Sequence, residues 1–297
     1  MAQGISIVTE EHPDAVRQRL TEELNQLKNE GLEVRISETM RGQATFLGCN
    51  IVKSRPLLPP GEAQLVLRYF VANALADEIV STWEETLVRE IVREECHHFS
   101  SEERRQIAQL VLQKLGETWG EDEASLALRR RGQIARKLLE YLETADFLVL
   151  EGFIRFRLAE YRDELRELVN KAADDFVVDK EYQEFIRLLR YFVDLQGPQL
   201  PEIQVLITKD EKFALLDAQN RPLSTRDLAE RTLTLEEDDL NYGDLLISTL
   251  IAISPTHITL HLGQSSVAME LVNTIQDVFV GRVDICTDCP LCQQSLQ

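Results

Sequence analysis

Near its end the chain reads Cys286-Thr-Asp-Cys289-Pro-Leu-Cys292, and no other stretch concentrates as much reactive side chain in so few residues. Two overlapping CxxC spacings allow neighbouring thiolates to point into one small volume, which is what a tetrahedral zinc ion requires. Cys286, Cys289 and Cys292 are therefore the candidate metal ligands, and zinc is the candidate cofactor. The motif holds three donors and needs a fourth, which Cys96, His97, His98, His257 or His261 could supply through a tertiary contact. A second CxxC, as in a zinc ribbon, is absent from the sequence. Two further readings stay open. The thiols could be free or structural, or they could exchange disulfides, although a redox CxxC ordinarily opens a helix and this one follows a strand pattern and contains Pro290.

The remaining candidates carry weaker chemistry. Cys96, His97 and His98 are consecutive, and on a helix adjacent side chains diverge by about 100°, so they read as a frayed helix end. His257 and His261 share one face of a strand pattern but lie about 13 Å apart along the backbone, which favours two exposed histidines over joint ligation. Arg129, Arg130 and Arg131 form the one basic run, followed by Arg136 and Lys137. It could touch phosphate, but Glu121, Asp122, Glu123 and Glu140 stand close by, and a solvated helix face is the simpler account. Glu236, Glu237, Asp238 and Asp239 precede a helical pattern and suit its N-terminal dipole; the alternating acids and central glycine of a calcium loop are missing. No GxGxxG, P-loop, GxSxG, HExxH or kinase-type set is present. That weakens an enzymatic reading without excluding one.

Three stretches must position these residues. In 1–58, Ile5 and Ile7 open a strand, and Pro13 starts a helix through Val16, Leu20, Leu24 and Leu27 that Gly31 ends. Strand patterns at 32–38 and 44–52 follow, joined by a turn at Gly42. The expected module is a helix over a small antiparallel sheet, closed by Arg55-Pro56 and Pro59-Pro60-Gly61. Residues 61–195 are helical throughout. Leu65, Tyr69, Ala72, Ala76, Ile79, Trp83 and Leu87 step by three and four. Ser100 or Ser101 caps a helix carrying Ile107 and Val111, and a turn is expected at Trp119-Gly120. Phe147, Leu150, Ile154, Leu158, Tyr161, Leu165, Leu168 and Ala172 predict one long helix; Tyr182, Phe185, Leu189 and Phe192 predict a last one before Gly197. In 199–292 a hairpin (203–208 and 213–217) turns at Asp210-Glu211 and a helix stops before Pro255. A strand, a helix begun by Ser265 or Ser266, and a final strand then form a parallel crossover pair. The fold class is α+β, a central helical bundle flanked by a small N-terminal α/β module and a C-terminal mixed α/β module.

The totals exclude several function classes. A net charge of −19, with 15 acids against 6 bases in 201–297, repels phosphate before contact and argues against broad nucleic-acid binding. Protein partners are the expectation. No apolar run reaches the about 18 residues of a membrane span, and the start lacks a leader's basic and apolar segments. Five cysteines, three of them crowded together, do not form a secreted disulfide framework. The cytoplasm is the expected compartment.

Residues 151–158 (EGFIRFRL) and 191–194 (YFVD), with Asn273, Thr274 and Ile275, 280–283 (VGRV), Ile285-Cys286 and 289–292 (CPLC), together resemble the YtxC-like family, best over 140–292 and weakly before residue 60. The resemblance implies a role in spore formation and brings no assigned reaction, cofactor or catalytic residue. The resulting expectation is a non-enzymatic interaction or structural protein. The alternatives are a zinc-binding or thiol-redox protein using the C-terminal cysteines, and a nucleic-acid-binding regulator using Arg129, Arg130 and Arg131.

Overall fold

The computed structural model describes residues 4–54, 59–116, 121–198, 200–207, 213–223, 242–262 and 269–294. The turns expected at Trp119-Gly120 and Asp210-Glu211, the caps at Ser265 or Ser266, the break at Arg55-Pro56 and the acids at 236–239 lie outside these residues. The α+β reading holds: most of the chain is helical, with two four-stranded mixed sheets. Contacts divide the chain into two compact units, Met1–Phe176 and Val177–Gln297.

In the first unit, β1 (Gly4–Thr9) leads into α1 (Pro13–Glu30), whose Pro13 sits in the first turn and whose end is set by Gly31 at φ 84°. Glycine adopts that left-handed conformation without a Cβ clash. β2 (Leu32–Arg41) and β3 (Ala44–Ser54) form a hairpin around Gly42, also at positive φ. β1 pairs antiparallel with β3, as expected for three strands. A fourth strand was not expected. β4 (Phe147–Val149) lies parallel to β1, giving the order β2-β3-β1-β4. Phe147 therefore belongs to an edge strand and is half exposed, not the first rung of a helix. A short apolar run fits either period, and here tertiary pairing decides.

α2 (Pro60–Glu78), a five-residue π segment (Ile79–Trp83) and α3 (Glu84–Glu95) run on without a break. α2 packs against both α1 and α5, so it buries Ala63, Leu67, Val71, Ala74 and Leu75 while Leu65 and Tyr69 of the expected stripe stay exposed. A helix covered on two sides does not show its contact face as one stripe. α4 (Ser101–Gly116) begins with a reciprocal cap: the Glu103 amide donates to Ser100 Oγ and the Ser100 amide to Glu103. α5 (Glu121–Thr144) follows.

The long helix expected from Phe147 onward is two helices. α6 (Leu150–Arg157) ends at Leu158, which has φ −102° and ψ 32°, and α7 (Ala159–Gln196) follows, including the helix expected separately around Tyr182. Leu150, Ile154, Leu158, Tyr161, Leu165 and Ala172 are buried as the stripe requires. The core they join also takes Ile5, Ile7, Leu20 and Leu47 from the sheet and α1, so N-terminal strands and helices share one interior. It includes a polar contact: the buried Tyr161 hydroxyl donates to Glu84, beside which lies Arg130 at 3.5 Å. Burial, then the Glu84 carboxylate, raises the Tyr161 pKa far above its ordinary value.

In the second unit, β5 (Glu202–Ile207) and β6 (Phe213–Asp217) form the expected hairpin. α8 (Tyr242–Ile253) stops at Ser254, whose left-handed backbone is held by its hydroxyl donating to the Val193 carbonyl at 3.1 Å. β7 (His257–His261), α9 (Met269–Val278) and β8 (Val283–Cys286) make the expected parallel pair, and α10 (Pro290–Gln294) follows. The sheet order is β6-β5-β7-β8. Its core joins Ile203, Val205, Ile258 and Leu260 to Leu246, Leu250, Ile275 and Phe279 of α8, α9 and the residue after α9. From α7, Ile186 and Val193 enter this core, whereas Phe185 and Phe192, expected on the apolar face, are exposed.

Candidate metal centre

Strand register assembles the first two donors. β7 and β8 pair in parallel with His261 directly opposite Cys286, and paired residues on adjacent strands carry their side chains on the same face. The Leu262 amide donates to the Cys286 carbonyl at 3.1 Å, which holds the ends of the two strands together. The chain then turns through Asp288, and α10 begins at Pro290, a residue suited to a first helical position. That turn carries Cys289 and Cys292 back over the strand ends. The Cys292 amide donates to Cys289 Sγ at 3.4 Å, so the CxxC lies across a helix start. This corrects the expectation that the motif does not open a helix.

Four donor atoms, His261 Nδ1 and the sulfurs of Cys286, Cys289 and Cys292, lie within 4.8 Å of one another. The Sγ atoms of Cys289 and Cys292 are 3.6 Å apart, and those of Cys292 and Cys286 are 3.8 Å apart. His261 Nδ1 is 3.2 Å from Cys289 Sγ and 3.5 Å from Cys292 Sγ. A regular zinc tetrahedron with ordinary bond lengths has sulfur–sulfur edges of about 3.8 Å and sulfur–nitrogen edges of about 3.6 Å. Four of the six edges thus match a Cys3His zinc ion, and His261 brings the fourth donor that the motif itself lacks.

Electrostatics agree with that fit. Burial lowers the His261 pKa, which keeps its imidazole in the neutral form a metal needs. His261 is 95% buried, against the sequence expectation of an exposed ring, because the returning tail covers it. Its Nε2 has no hydrogen-bond partner among the described residues. The Cys289 pKa is lowered, first by the Cys292 amide. Cys286 is pushed up to about 11, first by burial and then by its bonds to the other two thiols. One thiolate is thus favoured and a second resisted, the pattern of a cluster that needs a cation to hold more negative charge.

The other candidates are not brought together. Cys49 and Cys96 are buried in the first unit, and burial pushes Cys49 up to about 12. His97 and His98 lie exposed in the turn after α3. His257 faces Asp284 at 3.2 Å. Within the basic run, Arg131 binds both Asp77 oxygens and Arg130 sits beside Glu84, so acids of α2 and α3 answer these two guanidinium groups.

One feature was not legible in the sequence. A cavity of about 550 Å³ in the first unit is lined by Trp83, Glu90, Arg93, Glu151, Arg155 and Arg162 among others. Glu151 of the EGFIRFRL segment is already engaged there: one carboxylate oxygen accepts from the Thr9 hydroxyl and the Glu10 and Glu11 amides, pinning the loop between β1 and α1. Phe153 and Ile154 of the same segment face the core, and the Arg157 guanidinium lies over the Tyr141 ring. Charges of both signs line the cavity, and its geometry selects no ligand class.

Comparison with known proteins gives two matches. The profile of the YtxC-like family matches residues 69–284, a range that contains His261 and stops just before Cys286. "Uncharacterized protein YtxC" of Bacillus subtilis (strain 168) is 25% identical over 236 residues, covering 79% of this chain and 80% of that protein. No solved structure matches.

Proposed function

The chain belongs to the YtxC-like family, and from that premise we propose a non-enzymatic, zinc-binding interaction protein that acts during spore formation. The observation that supports the metal is the convergence of four donors, from β7, β8 and the start of α10, at tetrahedral spacing. Four protein ligands leave no open position, and a closed Cys3His set is the arrangement of structural rather than catalytic zinc. The ion would tie the tail to the edge of the sheet and fix a surface for a protein partner. The resemblance read from the sequence supports the place in spore formation. A strongly acidic chain, whose Arg130 and Arg131 already face acids, supports a protein partner over a nucleic acid.

The test is zinc content of protein purified under reducing conditions. The expected result is about one zinc per chain, lost in His261→Ala, Cys286→Ser and Cys292→Ser and kept in Cys96→Ser. A chain without metal whose three tail thiols all titrate freely would overturn the reading. The second reading, thiol exchange, is favoured by one observation, the lowered pKa of Cys289 at a helix start. It requires a reversible disulfide within the tail, detectable by mass after mild oxidation.

A further inference from the structure

The second unit carries an apolar surface that its own core does not use. On α7, Val178, Phe185, Leu188, Tyr191, Phe192 and Leu195 are each between 45% and 65% exposed. The buried line of the same helix runs through Ile186 and Val193. At about 100° per residue the exposed set lies roughly 120° around the helix from that line, so it is a separate face. Val178, Phe185 and Phe192 repeat every seven residues, as do Glu181, Leu188 and Leu195. That is the a/d repeat of a helix seam about 26 Å long.

We infer that this seam pairs two copies of the chain through an antiparallel α7–α7 contact. Area is the first argument. The six side chains expose about 650 Å² per copy, so a pair would bury at most about 1,300 Å², at the lower end of the about 1,200–2,000 Å² of stable interfaces. Charge supplies the direction. A parallel pair would set Glu181 against Glu181 in the seam and carry Glu184 and Arg187 of the two copies to opposite sides of it, out of each other's reach. An antiparallel pair with its two-fold axis between Phe185 and Leu188 stacks Phe185 on the other copy's Leu188 and Val178 on its Leu195. It also brings Glu184 within reach of the other copy's Arg187, twice by symmetry. Glu181 is the polar member of the seam and fixes register at some cost in stability.

Sedimentation of the full chain tests this. Wild type should be a dimer that dissociates on dilution, and Phe185→Glu combined with Leu188→Glu should be a monomer with unchanged circular dichroism. Glu184→Arg should weaken the dimer at least about tenfold, and adding Arg187→Glu to it should restore most of the loss. Glu181→Leu should tighten it, a gain that misfolding cannot mimic. A wild-type monomer at every concentration, a dimer that survives the double substitution, or a charge swap without rescue would each overturn the proposal.

Discussion

The two units close their interiors by different means. The first has much the larger core, running from Ile5 on β1 to Ala172 on α7, with the fully buried Trp83 at the π segment between α2 and α3. It is ample enough to hold a Tyr161–Glu84 contact inside it. Among the described residues the second gathers fewer buried apolar side chains, with Ile203, Val205, Ile258 and Leu260 on one side of its sheet. Beyond β8, an edge strand of four residues, the chain holds a short helix in which Cys292 is buried. The buried donor His261 and the three sulfurs stand where apolar packing runs out. The proposed zinc would supply a cross-link where burial is scarce, since a metal bound only by the folded state stabilises that state by its binding free energy.

The sharpest way to break this contrast is to remove the proposed zinc. Treatment with a strong chelator, or Cys292→Ser, should speed hydrogen exchange at the β8 and α10 amides by about a hundredfold or more, an opening cheaper by about 3 kcal/mol. Amides of β1, β3 and α1 should be unaffected. Equal loosening in both units would mean that the metal is not local to the second. The converse experiment is Trp83→Ala. Its ring is 2% exposed and meets His12 edge-on at 5.2 Å, so the change should cost the first unit about 3–5 kcal/mol. Denaturant unfolding should show that loss with zinc content unchanged.

How much of this was readable in the sequence followed from the range of the signal. Local signals were accurate: Gly31 ending α1, the reciprocal cap at Ser100, the β5–β6 hairpin, the parallel β7–β8 pair. Three cysteines within seven residues named themselves. His261 was visible only as one of five partners for them, since ligation depends on which residue of β7 the register sets opposite Cys286. The stripe through Phe147 failed at both ends for related reasons. A strand pairing with β1 claimed Phe147, and a helix break at Leu158 preserved the spacing of the stripe without its continuity. Phe185 and Phe192 looked like core because size and spacing do not say which face meets a neighbour; Ile186 and Val193 took that face.

The smallest expected effect refines the comparison inside the second unit, at the turn after β6. Asp217 accepts from the Gln219 and Arg221 amides, both at 2.9 Å, and from the Arg221 guanidinium at 2.7 Å. Its carboxyl is held below the ordinary value, first by the Arg221 amide. A carboxylate depressed by folding adds stability above its unfolded pKa, and that stability is lost as pH falls through the folded pKa. Metal-free protein isolates this contribution, because acid also displaces zinc from thiolates. In that state Asp217→Asn should lower the melting temperature of the second unit slightly at pH 7. The two curves should converge as pH falls through the depressed folded pKa of the wild-type carboxyl. The side chain is solvated, so the difference should stay well below that of metal removal. A gap that does not change with pH would assign the turn to shape rather than charge.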